Sequence, residues 1–140
     1  MRHTICYVSN CSEDLNHQQI EDLLKFCRDK NKSLDIKGIL LYSGKNFFQI
    51  MEGERRVVLD LYKKIREDPR HYGLIQVIGR DIEGGCLNDY KADIINDEPN
   101  KPGVPREYIE AIQGLPLDVR KSIERMLEMF LSTSKHNSGK

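Results

Sequence analysis

Apolar and polar positions alternate in several short segments of the chain, and this alternation predicts five strands. In the first segment it places Ile5 and Tyr7 on one face and Cys6 on the other. The predicted strands are His3–Ser9, Asp35–Ser43, Asn46–Glu52, Leu74–Ile82 and Cys86–Ile95. The turn Ser43–Asn46 joins the second strand to the third, so these two are expected to form a hairpin.

Two segments between these strands have the spacing of amphipathic helices, with apolar residues three and four positions apart. The first helix contains Ile20, Leu23, Leu24 and Cys27, and the second spans Glu54–Asp68 with Val57, Val58, Leu61, Tyr62 and Ile65. Asn16 and Gln19 have the spacing of a capping box at the start of the first helix, which we expect to end near Asn31. Pro69 ends the second helix, because the residue before a proline is disfavoured in helical conformation.

The resulting order is β-α-β-β-α-β followed by a fifth strand. This order predicts an α+β, ferredoxin-like fold in which both helices cover one face of the sheet. The first and third strands then lie side by side at the centre. We expect this unit to span residues 1–95.

The composition changes after this unit. Residues 96–105 contain three of the five prolines and predict a linker. Residues 106–132 predict a helical cap with helices at Glu107–Ile112 and Val119–Leu131, and 133–140 predict a disordered tail. The second helix carries an apolar stripe, which we expect to pack on the open face of the sheet; its members are Val119, Ile123, Met126, Leu127 and Phe130.

Composition narrows the class of partner. The chain has 140 residues, with 22 Lys and Arg against 22 Asp and Glu, so its formal net charge is zero. This balance argues against a nucleic-acid or anionic-membrane partner, and no apolar run is long enough to span a bilayer. The four cysteines and four histidines form neither a CxxC pair nor a metal-ligand spacing. Reduced thiols, no metal and a cytoplasmic location are therefore expected.

Three residues are candidates for chemistry. Gln49 lies in the apolar strand segment Phe47–Met51, where a buried carboxamide needs hydrogen-bond partners. Tyr7 would face it if the first and third strands are neighbours. Asn31 follows at the end of the first helix. The alternatives are a Gln49 bonded to local backbone, an ordinary core tyrosine, and an asparagine serving as a helix C-cap.

The surrounding residues form a more specific pattern. In order and with nearly gapless spacing, the chain has Cys-Tyr7-Val-Ser9, Asn31, Gly38-Ile-Leu-Leu-Tyr-Ser, Phe47-Phe-Gln49-Ile-Met-Glu52-Gly53, Leu61-Tyr-Lys-Lys64-Ile and Asp68-Pro-Arg70-His71. From about residue 3 to residue 95 this pattern resembles the BLUF family, whose members sense blue light through a bound flavin. The combination of Phe-Phe-Gln-x-x-Glu-Gly with Asp-x-Arg-His carries most of the resemblance.

The resemblance implies a flavin, expected to be FAD, held non-covalently between the two helices. It implies that Tyr7 donates an electron to the excited flavin and that Gln49 bridges the tyrosine and the flavin. It implies that Asn31 bonds the edge of the flavin ring. The region that meets the ring edge and the ribityl-phosphate tail would contain Lys64, Asp68, Arg70 and His71.

The chain departs from the family pattern at a few positions. Lys64 stands where several relatives carry arginine, and it supplies charge without the bidentate guanidinium. Tyr90 and Ala92 replace the tryptophan and methionine that relatives usually carry on the fifth strand. These changes leave the Tyr–Gln–flavin core intact but affect the region linked to signal transmission.

We therefore expect a short blue-light photoreceptor that is not an enzyme. It would act on a downstream protein effector or through contacts in a homo-oligomer. The alternative from another class is a ferredoxin-like protein-interaction module with weakened or lost photochemistry. A small metabolic enzyme on the same fold is less favoured, because the sequence presents no catalytic set.

Overall fold

The computed structural model describes residues 1–12, 15–85, 87–95 and 106–138, with side chains as far as residue 130. The strands in these parts of the chain are β1 (Arg2–Cys11), β2 (Lys37–Ser43), β3 (Asn46–Glu54), β4 (His71–Ile82) and β5 (Tyr90–Ile94). The helices are α1 (His17–Ser33), α2 (Arg55–Glu67), α3 (Arg106–Ala111) and α4 (Leu117–Ser138).

The strands form one five-stranded sheet in the order β4-β1-β3-β2-β5. β1 and β3 are antiparallel neighbours at the centre, and β2 and β3 form the predicted hairpin. β5 extends the sheet beyond β2, to which it is parallel. The predicted ferredoxin-like order is confirmed.

The start of α1 follows directly from its sequence. The backbone N–H of Gln19 donates to Asn16 Oδ1 at 2.8 Å, and the backbone N–H of Asn16 donates to Gln19 Oε1 at 2.9 Å. This reciprocal pair is the predicted capping box. The helix ends at Ser33, two residues beyond the predicted end near Asn31, with Leu34 as its C-cap.

β5 is shorter than the predicted strand Cys86–Ile95, and Cys86 lies outside the described residues. The backbone N–H of Leu87 donates to Glu52 Oε1 at 3.0 Å instead of to a neighbouring strand. Glu52 is fully buried and also accepts a 2.6 Å hydrogen bond from Arg2. A buried side chain therefore fixes this segment, and sheet pairing begins only at Tyr90.

The sheet separates two apolar cores. The core on the α1 and α2 side contains Ile5, Tyr7, Ile20, Leu24, Leu40, Phe47, Met51, Val58, Tyr62 and Tyr90. The opposite core contains Cys6, Ile39, Leu41, Phe48 and Ile50 from the strands, with Tyr108, Ile112, Leu115, Val119, Ile123, Leu127 and Phe130 from the C-terminal segment. The predicted arrangement, with α1 and α2 on one face and the C-terminal helices on the other, is confirmed.

The second C-terminal helix extends beyond its predicted bounds of Val119–Leu131, because α4 begins at Leu117 and its backbone is helical to Ser138. No glycine or proline interrupts the sequence between Leu117 and Ser138, which removes the usual reason for a helix to stop. The predicted linker 96–105 lies outside the described residues, and the domain boundaries stay a prediction.

Gly38 on β2 provides a test of the close packing of β2 against β3. A Cβ built at this position would lie 2.0 Å from the backbone oxygen of Ile50 on β3. We expect Gly38→Ala to lower the free energy of unfolding by about 3 kcal/mol or more, because backbone atoms must separate to admit the methyl group. Urea denaturation of the purified protein measures the change.

Gly85→Ala is the matched control. The nearest atom to a Cβ there is Glu52 Oε2 at 3.9 Å, an ordinary contact distance. We expect the control to unfold at nearly the denaturant concentration of the unaltered chain. Equal stability of the two alanine variants would contradict the close approach of β2 and β3 at Gly38.

Candidate functional site

A pocket opens between α1, α2 and the face of the sheet that they cover. The space between its walls is about 760 Å³, which includes its open mouth. The pocket is lined by Tyr7, Leu23, Phe26, Cys27, Lys30, Asn31, Leu40, Phe47, Gln49, Leu61, Lys64, Ile65, Asp68, Arg70 and His71.

Every site residue predicted from the sequence lines this one pocket. Tyr7 and Gln49 come from the central strands, Asn31 and Lys64 from the two helices. The other predicted residues lie between the end of α2 and the start of β4, in the segment Asp68–His71. The fold thus brings together residues that are as much as 64 positions apart in the sequence, since 71 − 7 = 64.

Tyr7 and Gln49 lie directly opposite each other in the pairing of β1 with β3. Gln49 Nε2 donates to the Tyr7 hydroxyl oxygen at 2.6 Å. Both side chains are almost completely buried, and burial raises the pKa of Tyr7 well above its ordinary value. Tyr7 therefore stays protonated, and Gln49 is bound by side chains, so the alternative of a Gln49 bonded to local backbone is wrong.

Tyr90 binds the other end of the same carboxamide. Its hydroxyl donates to Gln49 Oε1, across β2 from β5 to β3. The side chain is 1% exposed, and burial raises its pKa well above the ordinary value for tyrosine. The sequence had identified Tyr90 only as a departure from the family pattern. Its contact with Gln49 depends on the parallel pairing of β5 with β2, which strand patterning does not specify.

Asn31 lies in the last turn of α1 and is 4% exposed. Its backbone carbonyl accepts the N–H groups of Leu34 and Ile36, while Leu34 is the C-cap residue. The C-cap alternative for Asn31 is therefore wrong. Its side chain lines the pocket.

Charged groups are concentrated at the end of α2. The Arg70 guanidinium donates to both carboxylate oxygens of Asp68, at distances between 2.6 and 3.1 Å. Hydrogen bonding from Arg70 lowers the pKa of Asp68 below its usual value. Lys64 and Lys30 line the same pocket, so cationic side chains from both helices border it. This arrangement can bind a ligand with an apolar body and an anionic tail.

His71 fixes the start of β4 against α2. Its Nε2 contacts the backbone carbonyl of Ile65, which can only accept, so Nε2 carries the hydrogen. Its Nδ1 lies 2.8 Å from Ser9 Oγ. Both ring nitrogens are therefore engaged by the protein, and His71 can offer a ligand the faces and edges of its ring.

Eight further residues of the pocket wall are not among the site residues predicted from the sequence. The omitted residues are Leu23, Phe26, Cys27, Lys30, Leu40, Phe47, Leu61 and Ile65. A usable signal was present, because Leu23, Cys27 and Lys30 are four and three positions apart and share one face of α1. Leu61 and Ile65 have the same relation on α2.

Metal and membrane chemistry find no support in the described parts of the chain. Within them, no group of three or more His, Cys, Asp or Glu side chains could hold a metal ion. None of the described helices is long and apolar enough to cross a bilayer. Among the described residues, Cys6 and Cys27 are free thiols.

Fold and pocket together define a ferredoxin-like domain with an open, largely apolar pocket between two helices and the sheet. Residues 3–87 match the BLUF family model, described as sensors of blue-light using FAD. The chain belongs to this family and is a blue-light photoreceptor module of the flavin-binding class.

Curated relatives carry the same module within longer chains. The blue light- and temperature-regulated antirepressor BluF of Escherichia coli K12 is 35% identical over 78 residues, which cover 56% of this chain and 19% of the relative. The photoactivated adenylate cyclase subunit alpha of Euglena gracilis is 27% identical over 127 residues, covering 91% of this chain and 10% of the relative. The chain thus spans a fifth or less of these relatives.

Solved structures of similar modules agree with the fold. The structure titled BlrP1 BLUF superposes with a TM-score of 0.74 at 25% identity, covering 94% of this chain and 90% of that one. BlsA in its photo-activated state gives a TM-score of 0.64 at 25% identity, covering 92% of this chain and 96% of that one. A Klebsiella pneumoniae BlrP1 structure is titled with FMN and cyclic diGMP; its TM-score is 0.70 at 25% identity over 94% of this chain and 35% of that one.

Proposed function

We propose that this chain binds FAD non-covalently in the pocket between α1 and α2 and signals by rearranging hydrogen bonds at Gln49. The residues present fit such a cofactor. Apolar side chains from both helices form the walls, and the inner end presents the polar atoms of Tyr7, Asn31 and Gln49. The bound flavin would supply light absorption and a strong one-electron oxidant in its excited state.

Tyr7 is the proposed electron donor. Its ring lies in a buried apolar core, and its hydroxyl is hydrogen-bonded to Gln49. Once oxidised, Tyr7 would have a strongly acidic hydroxyl, which would release its proton into the hydrogen bonds around Gln49. Return of the electron and the proton to Tyr7 would leave no net chemical change. What remains is a different arrangement of the Gln49 carboxamide, which can donate at one end and accept at the other.

The Tyr7–Gln49 contact in the pocket between α1 and α2 is the observation that carries this proposal. An absorption spectrum of the purified full chain tests it directly. We expect flavin bands that shift reversibly to longer wavelength in blue light. A protein that refuses added flavin, or binds it without any light-induced shift, would favour the alternative of an interaction module without photochemistry.

The choice of FAD over a shorter flavin rests on the cationic border of the pocket. Lys30, Lys64 and Arg70 supply positive charge where an anionic tail would lie. Binding competition between FAD and FMN in the full chain separates the two, since we expect FAD to be retained more strongly. Equal retention would mean that the groups beyond the first phosphate make no contact.

We infer that the output is an altered contact with a downstream protein effector or between copies of this chain, without catalysis by the chain itself. Free thiols among the described cysteines support a cytoplasmic location. α3 and α4 cover the sheet face opposite the pocket and are the proposed route of the signal. BluF and the Euglena cyclase, which are named as an antirepressor and an adenylate cyclase, support coupling to a protein effector.

Asn31→Ala tests the inner end of the pocket. We expect flavin affinity to fall about tenfold or more, because a buried polar group of the ring loses a partner that water cannot replace there. Flavin retained after extensive dialysis measures the effect. Asn46→Ala is the control, since Asn46 is the first residue of β3 and does not line the pocket. Equal retention by the two variants would contradict a role for Asn31 in binding.

A further inference from the structure

Two tyrosines hold opposite ends of one buried carboxamide. Tyr7 accepts from Gln49 Nε2, and Tyr90 donates to Gln49 Oε1. Tyr7 is 4% exposed, Gln49 3% and Tyr90 1%, so water has no access to compensate for a lost hydrogen bond. On the sides that face away from the pocket, a rearranged Gln49 must therefore find its partners in these two tyrosines.

These bonds form a row in the order Tyr90, Gln49, Tyr7. Each of these three side chains carries both a donor and an acceptor. A row built only from such groups can reverse its direction, with every donor becoming an acceptor, and keep each of its internal bonds.

We propose that Tyr90 is a positioning residue that lets the Gln49 carboxamide reverse its ends without losing its partner on β5, and that it thereby sets the lifetime of the light-induced state. In the observed direction the Tyr90 hydroxyl donates to Gln49 Oε1. In the reversed direction its oxygen accepts from Gln49 Nε2. This inference rests on the proposed photochemistry, because it concerns the stability of the state that light produces.

The position of Tyr90 in the sheet makes this role specific to that residue. In the parallel pairing with β2 it lies opposite Gly38, where β2 has no side chain, and its hydroxyl reaches Gln49 on β3. Tyr62 belongs to the same core and lies 5.9 Å from the Tyr7 ring between centroids. Its ring packs beside the Tyr7 ring and under the Arg66 guanidinium, so it is a buried tyrosine next to the same network.

Tyr90→Trp replaces a hydroxyl that can donate and accept a hydrogen bond with an indole N–H that can only donate. The indole N–H only donates, so it can satisfy Gln49 Oε1 but opposes an N–H group in the reversed direction. With FAD bound to the full chain, we expect the light-induced shift to decay at least about tenfold faster than in the unaltered protein, because the reversed amide leaves a buried donor unsatisfied. Time-resolved absorption after a blue flash measures the decay.

Tyr90→Phe keeps the test valid if the larger indole perturbs folding. The ring is retained and only the hydroxyl is removed, so the amide has one hydrogen bond fewer to break as it reverses. We expect recovery roughly threefold to tenfold faster than in the unaltered chain and slower than in the tryptophan variant. Tyr62→Phe is the matched control and should recover at the unaltered rate.

Recovery of Tyr90→Phe at the unaltered rate would overturn the proposal, as would an equal acceleration in Tyr62→Phe. A tryptophan variant that folds, binds FAD and keeps the unaltered lifetime would also overturn it. These outcomes differ from failure of the proposed function itself. In that case the unaltered chain with FAD would show no light-induced shift at all.

Discussion

Tyr7→Phe is expected to keep the flavin and lose the light-induced shift. The phenyl ring still fills the core beside Tyr62, so the pocket keeps its wall. The hydroxyl that contacts Gln49 at 2.6 Å is gone, and with it the proposed source of both electron and proton. Absorption spectra before and after a blue-light pulse, normalised to bound flavin, measure the result.

The second buried tyrosine makes a double variant necessary. Tyr90 also contacts Gln49 and could donate in place of Tyr7. We therefore expect Tyr7→Phe/Tyr90→Phe to show no shift even if the single variant retains a remnant. A full shift in the double variant would contradict the assignment of the donor. Tyr72→Phe serves as the control, because Tyr72 is exposed on β4 and does not line the pocket.

Much of the fold could be predicted because local signals and long-range packing agree in this chain. The capping box of Asn16 with Gln19 fixed the start of α1, and alternation in β1 and β3 assigned Tyr7 and Gln49 to the same face. Once the order of elements indicated adjacent central strands, the contact between these two side chains followed. The ends of strands were harder to predict, because the start of β5 depends on a hydrogen bond that the Leu87 backbone N–H donates to the Glu52 side chain.

The contact between Tyr90 and Gln49 marks the limit of sequence reasoning at the site. It requires β5 to pair in parallel with β2 and to bring a ring across a glycine to the next strand. No periodicity within Tyr90–Ile94 encodes that register. The family resemblance identified Tyr90 only as a replacement for tryptophan, whereas the structure shows its hydroxyl bound to the carboxamide central to the proposed mechanism.

The two faces of the central strands connect the pocket to the C-terminal helices. Gln49 points towards the pocket, while its neighbours Phe48 and Ile50 point into the opposite core. The Phe48 ring lies 5.9 Å from the Phe130 ring of α4 between centroids. A displacement of β3 at Gln49 would therefore shift Phe48 and its contact with α4, which supports the proposed route of the signal.

A chain ending at residue 104 is expected to keep the photoshift and to self-associate. It lacks α3 and α4, so Ile39, Leu41, Phe48 and Ile50 lose the residues that bury them, while the whole pocket lining is retained. An apolar sheet face of this kind in water favours association with another copy. Size-exclusion chromatography with light scattering measures the state of the chain, and flash absorption measures the shift.

A chain ending at residue 131 is the control, because it retains every described apolar residue of α4 that faces the sheet. We expect it to behave like the full chain in both measurements. The comparison separates burial by the helical cap from any effect of shortening the chain. If the chain ending at 104 stays monomeric and unfolds at the same urea concentration as the full chain, α4 does not stabilise this face. The signal would then need a route from Gln49 other than the one through Phe48.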